Sequence, residues 1–165
     1  MNSLPLLYFP ANTVVLDDDA GFVDHVEVAL EDEVAQINSF TDPQKALDFV
    51  QLTGMNGFNH ESWMQPEEEA SEEYTVSIQV QNLRHKMQDH NRSQVTTCAI
   101  VDYQMGHQNG LDWCQKIKNP LVQKILLTGV ADEQVGIEAL NNGWIHQYVR
   151  KQDPKMVEKL LAATQ

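Results

Sequence analysis

Four short apolar runs decide what this chain can fold into. They are "TVVLD" (13–17), "VTTCAIVD" (95–102), "KILLTG" (124–129) and "IHQYV" (145–149). Runs of this length, rich in β-branched residues, read as buried strands. Helical periods lie between them. After Asp19, Phe22, Val23, Val26, Ala29 and Leu30 share one helix face. A shorter strand fits Val34 to Ile37. "TDPQKALDFV" opens another helix, with Thr41 or Asp42 as N-cap and Pro43 at its first position; Ala46, Leu47 and Val50 face inward. Residues 110–117 and 132–142 are also helical, and Asp153 caps a last helix from Pro154 to about Ala163. Strand and helix alternate throughout, which predicts an α/β fold on a parallel sheet.

The regularity breaks once. Residues 54–73 carry Gly, Asn and Pro and the acids Glu67, Glu68, Glu69, Glu72 and Glu73, and read as a linker or a solvated helix start beginning near Pro66. Tyr74, Val76, Ile78 and Val80 alternate like a strand, whereas Val80, Leu83 and Met87 recur at helical spacing. The reading taken is a helix over 80–90, inside an appended helical insertion at about 51–94 that stays out of the parallel sheet. The organisation is then an N-terminal leader, 1–12, and one domain, 13–165, that contains the insertion.

A length of 165 residues suits one domain. Eleven Lys and Arg against 24 Asp and Glu give a net charge of −13. Such a surface repels phosphate backbones and anionic lipid, so direct nucleic-acid or membrane binding is not expected. No apolar run approaches the roughly 20 residues that span a bilayer. Met1 to Pro10 lacks the basic start and cleavage site of a signal peptide. Cys98 and Cys114 form no metal motif and fit a core in a reducing cytoplasm. The six histidines are dispersed, so metal ligation by them is not expected; His107 stands nearest to chemistry, beside Asp102.

In an open parallel sheet, ligands gather at the carboxyl ends of the strands. Here those ends carry Asp17-Asp18-Asp19, Asp102, Thr128 and Lys151. Carboxylates that converge on one point need a cation, and oxygen ligands with few carboxylates suit Mg²⁺. A lysine opposite them can neutralise a transferred phosphoryl group as a point charge. Each residue also has a plainer reading. Three acids after a strand can simply cap a helix. Thr128 can be a turn residue, Tyr148 a core residue and Lys151 a solvated one. The Glu67–Glu73 run reads as a solvated face.

Five pieces in register settle between these. "VVLDDD", "AIVDYQM" followed by "NGLDWC", "ILLTG" and "GWIHQYVRK" resemble the CheY-like receiver domains of bacterial response regulators, over nearly all of 13–163 apart from the insertion. The resemblance implies a doubly wound, five-stranded, flavodoxin-like parallel sheet. It implies Asp102 as phosphoacceptor, with Mg²⁺ held by Asp17, Asp18, Asp102 and the backbone carbonyl of Gln104. Thr128 and Lys151 then contact the phosphoryl group, and Tyr148 is the aromatic switch. The implied role is a phosphorelay signalling module, not an enzyme. Its implied partners are a sensor histidine kinase or histidine phosphotransfer protein, and an effector or second copy on the 134–164 face. Three features depart from the pattern: Gly106-His107 after Asp102, Gln152 in place of Pro after Lys151, and one extra residue between Gly143 and Tyr148. For Gln152 a trans peptide bond is expected, since a cis bond without proline costs about 3 kcal/mol.

Two other functions compete. "LDDDAG" with "ILLTG" is similar to haloacid-dehalogenase-type phosphatases, with Asp17 as nucleophile and Asp19 as acid/base. That family needs a late pair of acids, and Asp153 stands alone; Asp102 is also left without a role. The other is a degenerate receiver that only binds protein, against which the intact acids and lysine argue.

Overall fold

A computed structural model describes residues 11–34, 36–55, 64–67, 75–78, 95–106, 108–129 and 133–164. Five strands form one sheet: β1 (Asn12–Leu16), β2 (Gln36–Phe40), β5 (Thr96–Asp102), β8 (Gln123–Thr128) and β9 (Gln147–Arg150). Their order is β2-β1-β5-β8-β9 and every pairing is parallel. Parallel neighbours need crossovers, and helices supply them: α1 (Ala20–Leu30), α2 (Pro43–Met55), α3 (Gly110–Lys116), α4 (Glu133–Asn141) and α5 (Met156–Thr164). The doubly wound α/β reading therefore holds.

Strand alternation divides the core in two. Val14, Leu16, Ala99, Val101 and Leu126 face one side and pack with Ala46, Val50, Trp113 and Ala139 from α2, α3 and α4. Val15, Ile100, Ile125, Leu127 and Val149 face the other, against Val23, Val26 and Leu30 of α1 and Leu160 of α5. Both faces are covered, which is why these strands read as continuous apolar runs rather than alternating ones. Trp113 is buried, and its ring N–H donates to the Pro43 carbonyl at 2.8 Å, tying α3 to the start of α2. Cys98 and Cys114 are buried free thiols, both pushed up to about 12 by burial.

Caps set the helix starts. Asp19 accepts from Gly21 and Phe22, Asp42 from Gln44 and Lys45, and Asn109 from Leu111. The cap of α2 is thus Asp42 rather than Thr41. Asp153 accepts from the Lys155 N–H, but regular helix begins at Met156, two residues beyond Pro154. The second strand also differs from expectation: it runs over Gln36–Phe40, not Val34–Ile37. Val34 belongs to the turn that closes α1, its N–H bonded to the Leu30 carbonyl.

The insertion departs from the helical expectation. Met64–Glu67 (β3) and Thr75–Ile78 (β4) form an antiparallel pair, not helix. β-Branched Thr75, Val76 and Ile78 favour extended backbone, and Pro66 is tolerated because a two-stranded ladder has only edges. The pair stays out of the five-stranded sheet, as expected. The proposed helix at 80–90 lies outside the described residues, as do His60, His85, His90 and His107 and the leader up to Pro10.

At the amino edge of the sheet, the Lys124 N–H donates to His146 Nδ1 at 3.0 Å, and the His146 N–H returns to the Lys124 carbonyl at 2.8 Å. Burial first, and then the Lys124 charge, hold this imidazole below its ordinary pKa. An imidazolium cannot accept at Nδ1. A depressed folded pKa means that the contribution is present above the unfolded value, about 6.5, and is lost as pH falls through the folded one. Unfolding free energy is therefore expected to fall between pH 7 and 5, with a shallower fall in His146→Gln. Equal slopes for the two proteins in denaturant titrations would exclude this.

Candidate phosphoacceptor site

Four strand ends build the site. Asp17 follows β1, Asp102 ends β5, Thr128 ends β8 and Lys151 follows β9. Because the strands are parallel and in register, all four meet at the carboxyl edge. Asp17 is fully buried. Its Oδ1 accepts from the Asp19 N–H at 3.0 Å, and its Oδ2 lies 2.7 Å from Lys151 Nζ. The same ammonium lies 2.9 Å from Asp102 Oδ1. Asp18 is exposed, and one carboxylate oxygen from each of Asp17, Asp18 and Asp102 falls within 4.8 Å of the others.

These contacts act on ionisation. Burial raises the Asp102 pKa; the Lys151 hydrogen bond opposes it, and the Asp17 and Asp18 charges add to the rise. Burial alone would lower Lys151, but hydrogen bonds to Asp17 and Asp102 outweigh it and hold the amine above its ordinary value. Three carboxylates against one ammonium leave an excess of two negative charges. The donors are all hard oxygens, and Asp18 opens to solvent. This set fits a divalent oxygen-seeking ion such as Mg²⁺.

Thr128 is fully buried, and its hydroxyl has no hydrogen-bond partner among the described residues. A buried donor without an acceptor costs about 1–3 kcal/mol, which makes it unusual as a mere turn residue. The Lys151 N–H binds the Thr128 carbonyl at 3.0 Å, so the two residues are tied through backbone. Gln104 opens β6 (Gln104–Met105), which pairs with β7 (Gln108–Asn109) just beyond Asp102. The Lys151–Gln152 bond is trans, as expected for a residue other than proline.

The rival phosphatase arrangement is not supported by the geometry. Asp19 spends its carboxylate on the α1 cap. Asp153 is bound to Lys159 at 2.5 Å and to the Lys155 N–H.

Three further residues bear on the site: two glycines, and Phe22, which in the sequence is only one of the apolar residues on a helix face. Gly110 starts α3 directly behind Asp102: a Cβ there would lie 1.9 Å from the Asp102 carbonyl oxygen. Gly136 of α4 faces Tyr148, where a Cβ would come within 2.9 Å of the ring Cγ. Phe22 lies under Lys151, with Nζ 4.5 Å from its ring centroid. The glycines stood in the sequence as helix-start and mid-helix glycines, the latter a costly choice that signals close packing. Tyr148 is half-buried and lines a cavity of about 530 Å³ with His146, Arg150, Asp153 and Lys159, beside α4 and α5. Ile137 and Trp144 are exposed nearby in sequence.

The response regulator LqsR of Legionella pneumophila matches 94% of the chain at 26% identity with a TM-score of 0.67. A receiver domain protein of Clostridium thermocellum matches 93% at 20% identity, TM-score 0.58, over 90% of its own length. The chain has the CheY-like receiver fold. The BeF3-activated receiver domain of DrrB, a Thermotoga maritima protein, matches 92% of each chain at 20% identity and TM-score 0.55. This receiver spans 43% of the length of LqsR. No family model matches the sequence, and neither does any curated protein. Among the described residues, no helix is long and apolar enough to cross a membrane.

The Gly136 seat yields a direct test on this receiver. Gly136→Ala gains up to about 1 kcal/mol of helix propensity, but its methyl collides with the near end of the Tyr148 ring, where overpacking costs about 1–3 kcal/mol. The expected result is a lower melting temperature and shifted Tyr148 ring resonances. A variant more stable than the parent, with the ring unmoved, would refute the contact.

Proposed function

We propose that this receiver is the phosphoacceptor of a two-component phosphorelay, modified on Asp102 and switching a protein-interaction face. The observation that carries the reading is the shared ammonium: Lys151 Nζ touches both Asp17 and Asp102. A purely structural sheet edge has no use for converging acids held by one lysine at the place where α/β ligands bind.

Asp17, Asp18, Asp102 and the Gln104 carbonyl would hold Mg²⁺. When bound, the ion supplies charge that offsets repulsion between Asp102 and an anionic phosphate donor. An Asp102 carboxylate oxygen attacks phosphorus, and the bond from phosphorus to the donor breaks. The donor is a phosphohistidine on a kinase or phosphotransfer protein, or a small acyl phosphate. The donor keeps the bonding electrons. Lys151 then pairs with a phosphoryl oxygen, and the unpartnered Thr128 hydroxyl donates to another. Movement of Thr128 lets Tyr148 turn, which remodels the 134–164 face where the cavity and exposed Ile137 and Trp144 lie. That face is the proposed effector or dimer surface. The module is a signalling domain rather than an enzyme acting on an outside substrate. Its two buried free thiols suit the reducing cytoplasm.

Incubation with acetyl phosphate and Mg²⁺ is expected to add one acid-stable, base-labile phosphoryl group, read by mass spectrometry, and Asp102→Asn should take up none. With the beryllofluoride mimic, Thr128→Ala and Lys151→Ala should form the adduct but change amide exchange over 134–164 far less than the parent. Phosphorylation of Asp102→Asn at the parent rate would end this reading. So would a parent adduct that leaves the 134–164 face unchanged.

A further inference from the structure

We propose that Phe22 is a positioning residue for Lys151: its ring seats the ammonium beside Asp17 and Asp102, ready for phosphoryl transfer. The inference rests on the phosphoacceptor reading and extends it to a residue outside the acid cluster.

Lysine is a point charge on a flexible four-carbon stem, and it loses rotamer freedom when held in one place. Lys151 is also a quarter exposed at its side chain, so burial alone does not fix it. Three groups surround Nζ: the Asp17 carboxylate at 2.7 Å, the Asp102 carboxylate at 2.9 Å and the Phe22 ring, with its centroid at 4.5 Å. A cation at that distance over a ring face is attracted by the ring quadrupole.

The ring itself is well anchored. Phe22 packs against the core side shared by α1 and α5. Its N–H donates to Asp19 Oδ1 at 3.3 Å, and the Asp19 N–H donates to Asp17 Oδ1 at 3.0 Å. The same acidic turn therefore sets both the carboxylate that binds Lys151 and the aromatic face beneath it.

The choice of a neutral aromatic has a chemical consequence. On phosphoryl transfer, Lys151 must give up its contact with Asp102 Oδ1 and meet a new oxygen. A further carboxylate at position 22 would compete for the ammonium. An aliphatic side chain would offer it no attraction. An aromatic face holds the charge without accepting a hydrogen bond, so the amine keeps its donors for the anions.

A double-mutant cycle with acetyl phosphate and Mg²⁺ tests this on the full chain. Phe22→Leu is expected to slow phosphoryl uptake about fivefold, the scale of one exposed cation–π contact. Phe22→Tyr, which keeps the ring, should restore the parent rate. In a Lys151→Ala background, Phe22→Leu should cause no further loss. Phe22→Met serves as a second aliphatic variant, and circular dichroism reports on folding of each. The Lys151 ε-methylene protons provide a readout independent of reaction. They should be shifted upfield by the ring in the parent and in Phe22→Tyr, and not in Phe22→Leu. Uptake by Phe22→Leu at the parent rate, an equal loss in the Lys151→Ala background, or no upfield shift in the parent would each overturn the inference while leaving Asp102 as acceptor. A parent that takes up no phosphoryl group overturns the proposed function, and with it the reaction Phe22 would serve.

Discussion

The ammonium of Lys151 is what allows this sheet to end in acid. Asp17 has no exposure and Asp102 almost none, so neither carboxylate is stabilised by bulk water. Burial penalises the Asp102 charge, and the neighbouring Asp17 carboxylate adds to the penalty. One lysine at hydrogen-bond distance from each offsets much of that cost, at the price of its own partial desolvation. The arrangement requires β1, β5 and β9 to deliver their ends to one point. That in turn requires parallel pairing in the order β2-β1-β5-β8-β9. The helices follow, since each parallel neighbour must be reached by a crossover.

Much of this was legible because buried parallel strands and amphipathic helices have distinct periods. The runs around Val14, Ile100 and Leu126 could hardly be anything but interior strands, and Asp17, Asp102 and Thr128 at their ends follow directly. The second strand was harder. It is an edge strand with half-buried side chains, so its pattern is weak. Val34, its first expected residue, is taken by the turn that ends α1. In the insertion, a strand-like alternation from Tyr74 runs into a helical spacing at Val80, and extended backbone is adopted at Thr75–Ile78. A parallel-sheet pattern gives no information about a hairpin that pairs only with itself.

The site shows a similar division. Asp17, Asp18, Asp102, Thr128 and Lys151 could be read because chemistry-bearing residues at strand ends are conspicuous. Gly110, Gly136 and Phe22 could not. The role of each glycine is an absence of atoms opposite a neighbour that only the fold brings against it: the Asp102 carbonyl in one case and the Tyr148 ring in the other. Phe22 looks like one more apolar residue on the inner face of α1. Only the fold brings Lys151, 129 residues later, over its ring.

Thr128 gives the proposed switch its energetic basis. Its buried hydroxyl has no acceptor among the described residues, and a hydroxyl left so would cost the resting state about 1–3 kcal/mol. A phosphoryl oxygen on Asp102 would remove that cost, and only in the state in which Thr128 reaches it. Tight contact alone would shift nothing; a ligand moves an equilibrium by its difference in affinity between two states. A difference of this size changes a population ratio by about 5- to 150-fold. Tyr148 would register the change: it lies on β9, lines the cavity and faces Gly136, where a side chain would collide with its ring. The unpaired hydroxyl and the missing methyl would then be two parts of one device. The first would favour the modified state, and the second would leave room for the ring whose position reports it.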